Sequence, residues 1–169
     1  MERMKAIVRI ARLDDVDRIV ELTAQLGYDV DASTVCERLA RILQRQDHRF
    51  TVAELDGRTV AWLHAVVSDY IETGPFVVVA GLVVDKSVRN AGIGRALMAA
   101  AEQWATTQGC RVVRLWSSAA RTKAHRFYDR LGYAHIKTQY SFVKSVDPSG
   151  RQDFAGFIPR IARGERSAR

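Results

Sequence analysis

The stretch Leu82-Val83-Val84-Asp85-Lys86-Ser87-Val88-Arg89-Asn90-Ala91-Gly92-Ile93-Gly94-Arg95-Ala96 decides how this chain of 169 residues is read. It opens as the end of a Val-rich run, Phe76 to Val84, whose composition suits a strand buried on both faces. It closes as the start of a helix, because Ile93, Leu97, Ala101, Trp104 and Ala105 recur at helical spacing until Gly109. Between the two lies a short loop ending in Gly92 and Gly94. Backbone N–H groups at a helix start have no acceptor within the helix, and the helix dipole favours negative charge there. Glycine lets a ligand approach the main chain closely, and Arg89 and Arg95 add positive charge. The segment is a cradle for a phosphate or pyrophosphate.

Two familiar phosphate loops do not fit it. A Walker loop ends in Gly-Lys-Ser/Thr, whereas Gly94 is followed by Arg95-Ala96. A dinucleotide-binding turn needs a third small residue where this chain has Leu97, and an acidic residue after the next strand, where it has Trp116-Ser117-Ser118. What remains is Arg89-x-x-Gly92-x-Gly94 after a Val-Val-Asp strand end.

The rest of the chain supplies a consistent frame. Residues 5–10 read as a first strand, and Asp14 as the N-cap of a helix carrying Val16, Ile19, Val20, Thr23 and Leu26. Val35, Leu39, Ile42 and Leu43 mark a second helix. Phe50 to Leu55 and Thr59 to Val67 pair across the hairpin signal Asp56-Gly57. Arg111 to Trp116 reads as a strand, Ala120 to Leu131 as a fourth helix, and His135 to Val146 as one or two final strands. The order predicts an α/β domain with a mixed sheet over residues 1–146. Residues 147–169 lose this periodicity and read as a basic extension.

Charge narrows the function. The chain carries a net +7, but residues 1–85 sum to −4, residues 86–130 to +7 and residues 131–169 to +4. A polyanionic ligand held by the middle segment accounts for this better than a surface that coats nucleic acid, for which no recognition-helix pattern is present. The longest apolar run has nine residues, about half of a membrane span. Two cysteines, Cys36 and Cys110, are too few for a disulfide framework or a four-cysteine metal site. The expectation is a cytoplasmic chain with no metal and no membrane partner.

About thirty residues after the loop stands Ala124-His125-Arg126-Phe127-Tyr128-Asp129-Arg130-Leu131-Gly132-Tyr133. With the loop motif, R-x-x-G-x-G, this A-x-x-F-Y-x-x-x-G-Y segment resembles the GNAT superfamily of acyl-CoA-dependent N-acetyltransferases, most closely over residues 76–133. The resemblance implies a mixed, mostly antiparallel sheet with a splayed central pair of parallel strands and about four flanking helices. It implies acetyl-CoA as co-substrate, with Leu82, Val83 and Val84 offering main-chain groups to pantetheine and Gly81 marking a bulge that opens the gap. The pyrophosphate would lie on Arg89, Asn90, Ala91, Gly92, Ile93, Gly94 and Arg95, with Arg121 and Lys123 reaching the nucleotide phosphates. Relatives often have Asn where this chain has Arg121.

The same resemblance makes Tyr128 the general acid that protonates the departing thiolate. Many relatives carry a glutamate base on the strand before the loop, at positions held here by Val78 and Ala80. That carboxylate is absent from this chain, which leaves Asp69, Glu72 and His64 as alternatives for the base. The acceptor pocket would draw on Tyr28, Asp29, Trp62 and Tyr70, in an acidic region suited to a cationic amine. Dimers are common in the family, so a homodimer is among the implied partners. The reaction implied is direct transfer of acetyl to a primary amine in a ternary complex. The competing reading is a non-catalytic acyl-CoA sensor on the same fold.

Overall fold

Asp56 (φ 51°) and Gly57 (φ 74°) both adopt left-handed backbone and reverse the chain between two long strands, as a two-residue hairpin requires. This computed structural model describes residues 6–149 together with 151, 154, 156 and 157. Its elements are β1 (Ile7–Ile10), α1 (Val16–Gln25), α2 (Ala32–Leu43), β2 (His48–Leu55), β3 (Arg58–Tyr70), β4 (Gly74–Val84), α3 (Ile93–Thr107), β5 (Val113–Leu115) and α4 (Thr122–Arg130). Short 3-10 turns at Leu13–Asp15 and Lys86–Val88 lead into α1 and follow β4. The sheet runs in the order β1-β2-β3-β4-β5, antiparallel except for the parallel β4–β5 pair. That pair stands at the edge of the described sheet, not at its centre.

The described residues fall into two compact units, one ending at Leu115 and one beginning at Trp116. In the first, alternation along the strands sorts side chains between two faces. Phe50, Val52, Trp62 and Val83 join Val16, Ile19 and Leu22 of the α1 segment and Val35 and Leu39 of α2 in one buried cluster. The intervening Thr51, Ala53, Ala61 and Leu63, also buried, serve the opposite face, against which α3 sets Leu97, Met98, Ala101 and Trp104.

Three further expectations change. Asp15, not Asp14, anchors the start of α1. Its buried carboxylate accepts from the two terminal guanidinium nitrogens of Arg9 at 2.8 Å, from the Arg12 N–H at 2.7 Å and from the Thr59 hydroxyl at 2.6 Å. Burial pushes this carboxyl up, but those donors outweigh it and leave its pKa at about 2. The strands expected over His135 to Val146 are also absent: the segment is irregular, with Ile136, Tyr140, Phe142 and Val146 exposed. Alternation gives a segment the capacity to be a strand, but a neighbouring strand must complete the ladder, and among the described residues none does. Finally, β5 keeps only three of the six residues expected of it. The extension expected at 147–169 lies mostly outside the described residues.

Candidate active site

β4 changes character halfway along. Its first half is paired on both sides: Val77, Val78 and Val79 face Val113, Arg114 and Leu115 of β5, and Val67, Val66 and Ala65 of β3. The β3 register then slips. His64 faces Gly81 while Ala65 faces Val79, so Ala80 is an extra, exposed residue in β4. The bulge falls one residue before Gly81, the position expected to mark it. From Ala80 to Val84 the strand keeps β3 on one edge, and no β5 residue pairs with the other. Leu82, Val83 and Val84 thus stand on a strand with one edge that β5 leaves uncovered, where the Val84 carbonyl accepts the Arg89 Nε–H at 3.4 Å.

The open half leads into the loop expected to cradle phosphate. Asp85 is buried and fixes the turn: its N–H donates to the Val60 carbonyl at 2.8 Å. Its carboxylate accepts from the N–H and hydroxyl of Ser87, at 3.0 and 2.9 Å, and from Arg18 of α1 at 2.8 Å. The Ser87 N–H is the largest of several hydrogen bonds that hold this carboxyl well below the usual carboxylate range despite its burial. Arg18 also donates to the Thr59 carbonyl at 3.0 Å and pairs with Glu21, and the Lys86 N–H donates to Gln25 at 3.1 Å. The loop is therefore tied to α1 before it turns. Asn90 (φ 69°) and Gly92 (φ 80°) then take left-handed backbone to start α3.

The first helical hydrogen bond runs from the Ala96 N–H to the Gly92 carbonyl, at 3.0 Å. The N–H groups of Ile93, Gly94 and Arg95 precede it. Ile93 is buried and anchors the helix, while Arg89, Asn90, Ala91, Gly92 and Arg95 are exposed. Residues 89–95 thus form one turn at the start of α3, exposed except for the buried Ile93 and half-buried Gly94, while Arg121 and Lys123 belong to the second unit. Arg18 and Gln25 were not expected to support that turn. The only local signal was a carboxylate ending an apolar strand, and its main partner lies 67 residues away.

The candidates for the base separate. Asp69 faces Pro75 and Tyr70 faces Gly74 at the tip of the β3–β4 hairpin, where Glu72 is exposed. Pro75 lies five residues before the bulge, roughly 17 Å along an extended strand. His64 instead faces Gly81 beside the bulge. Its Nε2 lies 2.9 Å from Nδ1 of His48, and the rings stack at 5.1 Å. Burial, reinforced by His48, lowers the His64 pKa to about 4, so it is neutral at pH 7.

Of the residues expected around the acceptor, Tyr28 and Asp29 lie in the link from α1 to α2. Trp62 is 8% exposed and stacks on Phe50 at 5.3 Å. The far edge of its six-membered ring lies over Gly81, where a Cβ would come within 2.7 Å of Cζ3. Trp62 therefore covers the residue beside the bulge, whereas Tyr70 is at the hairpin tip.

In the second unit, α4 begins after Arg121 and carries Lys123, Phe127 and Tyr128. Tyr128 is half-buried, edge-to-face with Phe127 at 5.2 Å and with Tyr133 at 6.1 Å. The Tyr133 N–H caps the helix by donating to the Tyr128 carbonyl at 3.0 Å. Burial raises the phenol's pKa against the opposing charge of Arg121, so it keeps its proton at neutral pH. Among the described residues, no three His, Cys, Asp or Glu side chains gather to hold a metal, and no helix is long and apolar enough to cross a membrane.

Comparison with known proteins agrees with this architecture. The chain is 30% identical over 148 residues to an uncharacterized N-acetyltransferase of Methanocaldococcus jannaschii, covering 82% of this chain and 65% of that relative's length. It is 28% identical over 130 residues to the type 1 aminoglycoside N(6')-acetyltransferase of Stenotrophomonas maltophilia, covering 74% of this chain and 85% of that protein. Its fold superposes with a TM-score of 0.76 on a structure of aminoglycoside N-acetyltransferase AAC(6')-Iy in complex with CoA, at 23% identity over 83% of this chain and 95% of the other. The family model of the GNAT acetyltransferases matches residues 13–133, from the turn before α1 to the end of the Phe127-Tyr128 motif, and the chain belongs to that family.

Proposed function

We propose that this chain transfers the acetyl group of acetyl-CoA to a primary amine by direct attack in a ternary complex. One observation carries the reading: the open half of β4 leads, through the turn that Asp85 anchors, to the amides at the start of α3. An extended pantetheine arm would complete the strand edge along Leu82, Val83 and Val84. The pyrophosphate would then meet the amides and the positive charge of residues 89–95, with Arg121 and Lys123 for the remaining phosphates. Residues 1–146 would form the catalytic domain.

The neutral amine nitrogen attacks the thioester carbonyl, whose π electrons move onto oxygen. The tetrahedral intermediate collapses, the C–S bond breaks, and the thiolate takes a proton from the Tyr128 hydroxyl. A phenol kept protonated by burial suits that role. His64 is the candidate base that the strand register sets beside the bulge, and as a neutral imidazole it can accept the amine's proton and share it with His48. Asp69 and Glu72, at the hairpin tip, would serve as base only for an acceptor that extends about 17 Å along β4.

The test is release of free thiol from acetyl-CoA across a panel of amines, with Tyr128→Phe alongside. The reading expects turnover that needs an amine, and a fall in kcat of about 10²-fold in the variant. Binding of CoA without turnover on any amine would favour the sensor instead. A melting temperature that acetyl-CoA leaves unchanged would overturn both readings.

A further inference from the structure

Asp85 has the wrong sign for its place in the chain. It is a carboxylate only 8% exposed, and it opens the loop read above as the seat of the CoA phosphates. A bare negative charge there would oppose a polyanion, the more so because buried charges are little screened by solvent. Protonation does not remove that charge, since its hydrogen bonds hold the carboxyl well below the usual carboxylate range.

The compensation comes from α1. Arg18 donates one terminal nitrogen to the Asp85 carboxylate at 2.8 Å and its Nε to the Thr59 carbonyl at 3.0 Å. Both charged side chains are largely buried, and among the described residues Arg18 is the one cation within ion-pair distance of Asp85. Arg89, by contrast, is exposed and turns its Nε to the Val84 carbonyl. The same carboxylate takes the N–H and hydroxyl of Ser87, and the Asp85 N–H donates to the Val60 carbonyl. One guanidinium thus fastens the first residue of the loop to residues 59 and 60 of β3. At the end of α1, Gln25 accepts the Lys86 N–H at 3.1 Å and completes the brace.

We propose that Arg18 is a positioning residue for acetyl-CoA, acting through Asp85 without touching the cofactor. It neutralises the buried carboxylate and fixes the start of the loop, which leaves the positive charge of residues 89–95 to the phosphates. The inference rests on the acetyltransferase reading above. Its consequence is specific: loss of Arg18 weakens the hold on the phosphates, and removing the charge of Asp85 makes Arg18 dispensable. Asparagine suits that second step, because its side-chain oxygen can still accept from Ser87.

Calorimetry with acetyl-CoA tests this without requiring a known acceptor. Arg18→Met should raise Kd roughly tenfold or more, since it strands a buried charge. Combining it with Asp85→Asn should return Kd to within about threefold of the parent, a coupling that independent sites would not show. With any amine that turns over, Arg18→Met should lower kcat/KM for acetyl-CoA about tenfold relative to S-acetylpantetheine, which lacks the phosphates. Its kcat at saturating acetyl-CoA should stay near the parent's. Arg9→Met, which breaks the separate network of Arg9 with Asp15 and Glu54, should lower the melting temperature and leave the acetyl-CoA Kd unchanged. An unchanged Kd in Arg18→Met, a deficit that Asp85→Asn fails to reverse, or equal losses with both acetyl donors would overturn the proposal and leave the acetyltransferase reading standing. If Arg18→Met did not fold, the double variant would decide: parent-like affinity supports the proposal and weak affinity overturns it. A parent chain that did not bind acetyl-CoA would overturn the acetyltransferase reading and this proposal with it.

Discussion

The two halves of β4 have nearly the same Val-rich composition and opposite situations. From Phe76 to Val79 the strand is buried and flanked by β3 and β5. From Ala80 to Val84 it keeps β3, carries an extra residue and leaves one edge open. The paired half spends its main-chain groups on the sheet and its side chains on the core. On the proposed reading the open half keeps main-chain groups for a ligand. Stability and binding then divide along one strand, and substitutions in its two halves should fail in different ways.

The largest effect belongs to the paired half. Phe76 is 2% exposed, touches Tyr70 edge-to-face at 4.9 Å and lies beneath the Arg114 guanidinium. Phe76→Ala should cost about 3–5 kcal/mol of unfolding free energy, measured by urea denaturation. At the junction, Gly81→Ala would drive a methyl into the Trp62 ring. It should cost about 1–3 kcal/mol and, unlike Phe76→Ala, should also lower kcat in the fraction that remains folded. In the open half's loop, Arg89→Gln combined with Arg95→Gln should leave unfolding within about 0.5 kcal/mol of the parent. The same pair should weaken CoA binding by about tenfold, roughly 1.4 kcal/mol, with the deficit shrinking at high salt. Loss of stability without loss of CoA affinity in that variant would erase the distinction between the halves.

A gentler effect is spread over pH. Burial lowers the His64 pKa from 6.5 to about 4, so between those values the folded chain binds fewer protons than the unfolded one. Stability should therefore be complete above pH 6.5 and decline as pH falls through 4. His64→Asn should flatten that part of a melting-temperature profile, and an unchanged slope would show that His64 is not held neutral.

The turn from β4 into α3 was legible in the sequence because its signal is local: two glycines, two arginines and a helical stripe within fifteen residues. The hairpin at Asp56-Gly57 was legible for the same reason. What the sequence did not disclose depends on distant partners. Asp85 needed Arg18, and Asp15 displaced Asp14 as the anchor of α1 because Arg9 and Thr59 converge on it. The residues from His135 to Val146 have the composition of a strand, but pairing is a property of two segments. The opening of β4 follows from where β5 stops, at Leu115, which no pattern within β4 encodes. Trp62 was expected near the acceptor from its position, whereas its contact with Gly81 needed the side-chain packing.

Amide hydrogen exchange with and without acetyl-CoA tests the division of β4 most directly. The account predicts that acetyl-CoA slows exchange at residues 80–84 and 89–95, while 76–79, already protected by two neighbouring strands, stay unchanged. Equal slowing along the whole strand, or none at 80–84, would contradict it.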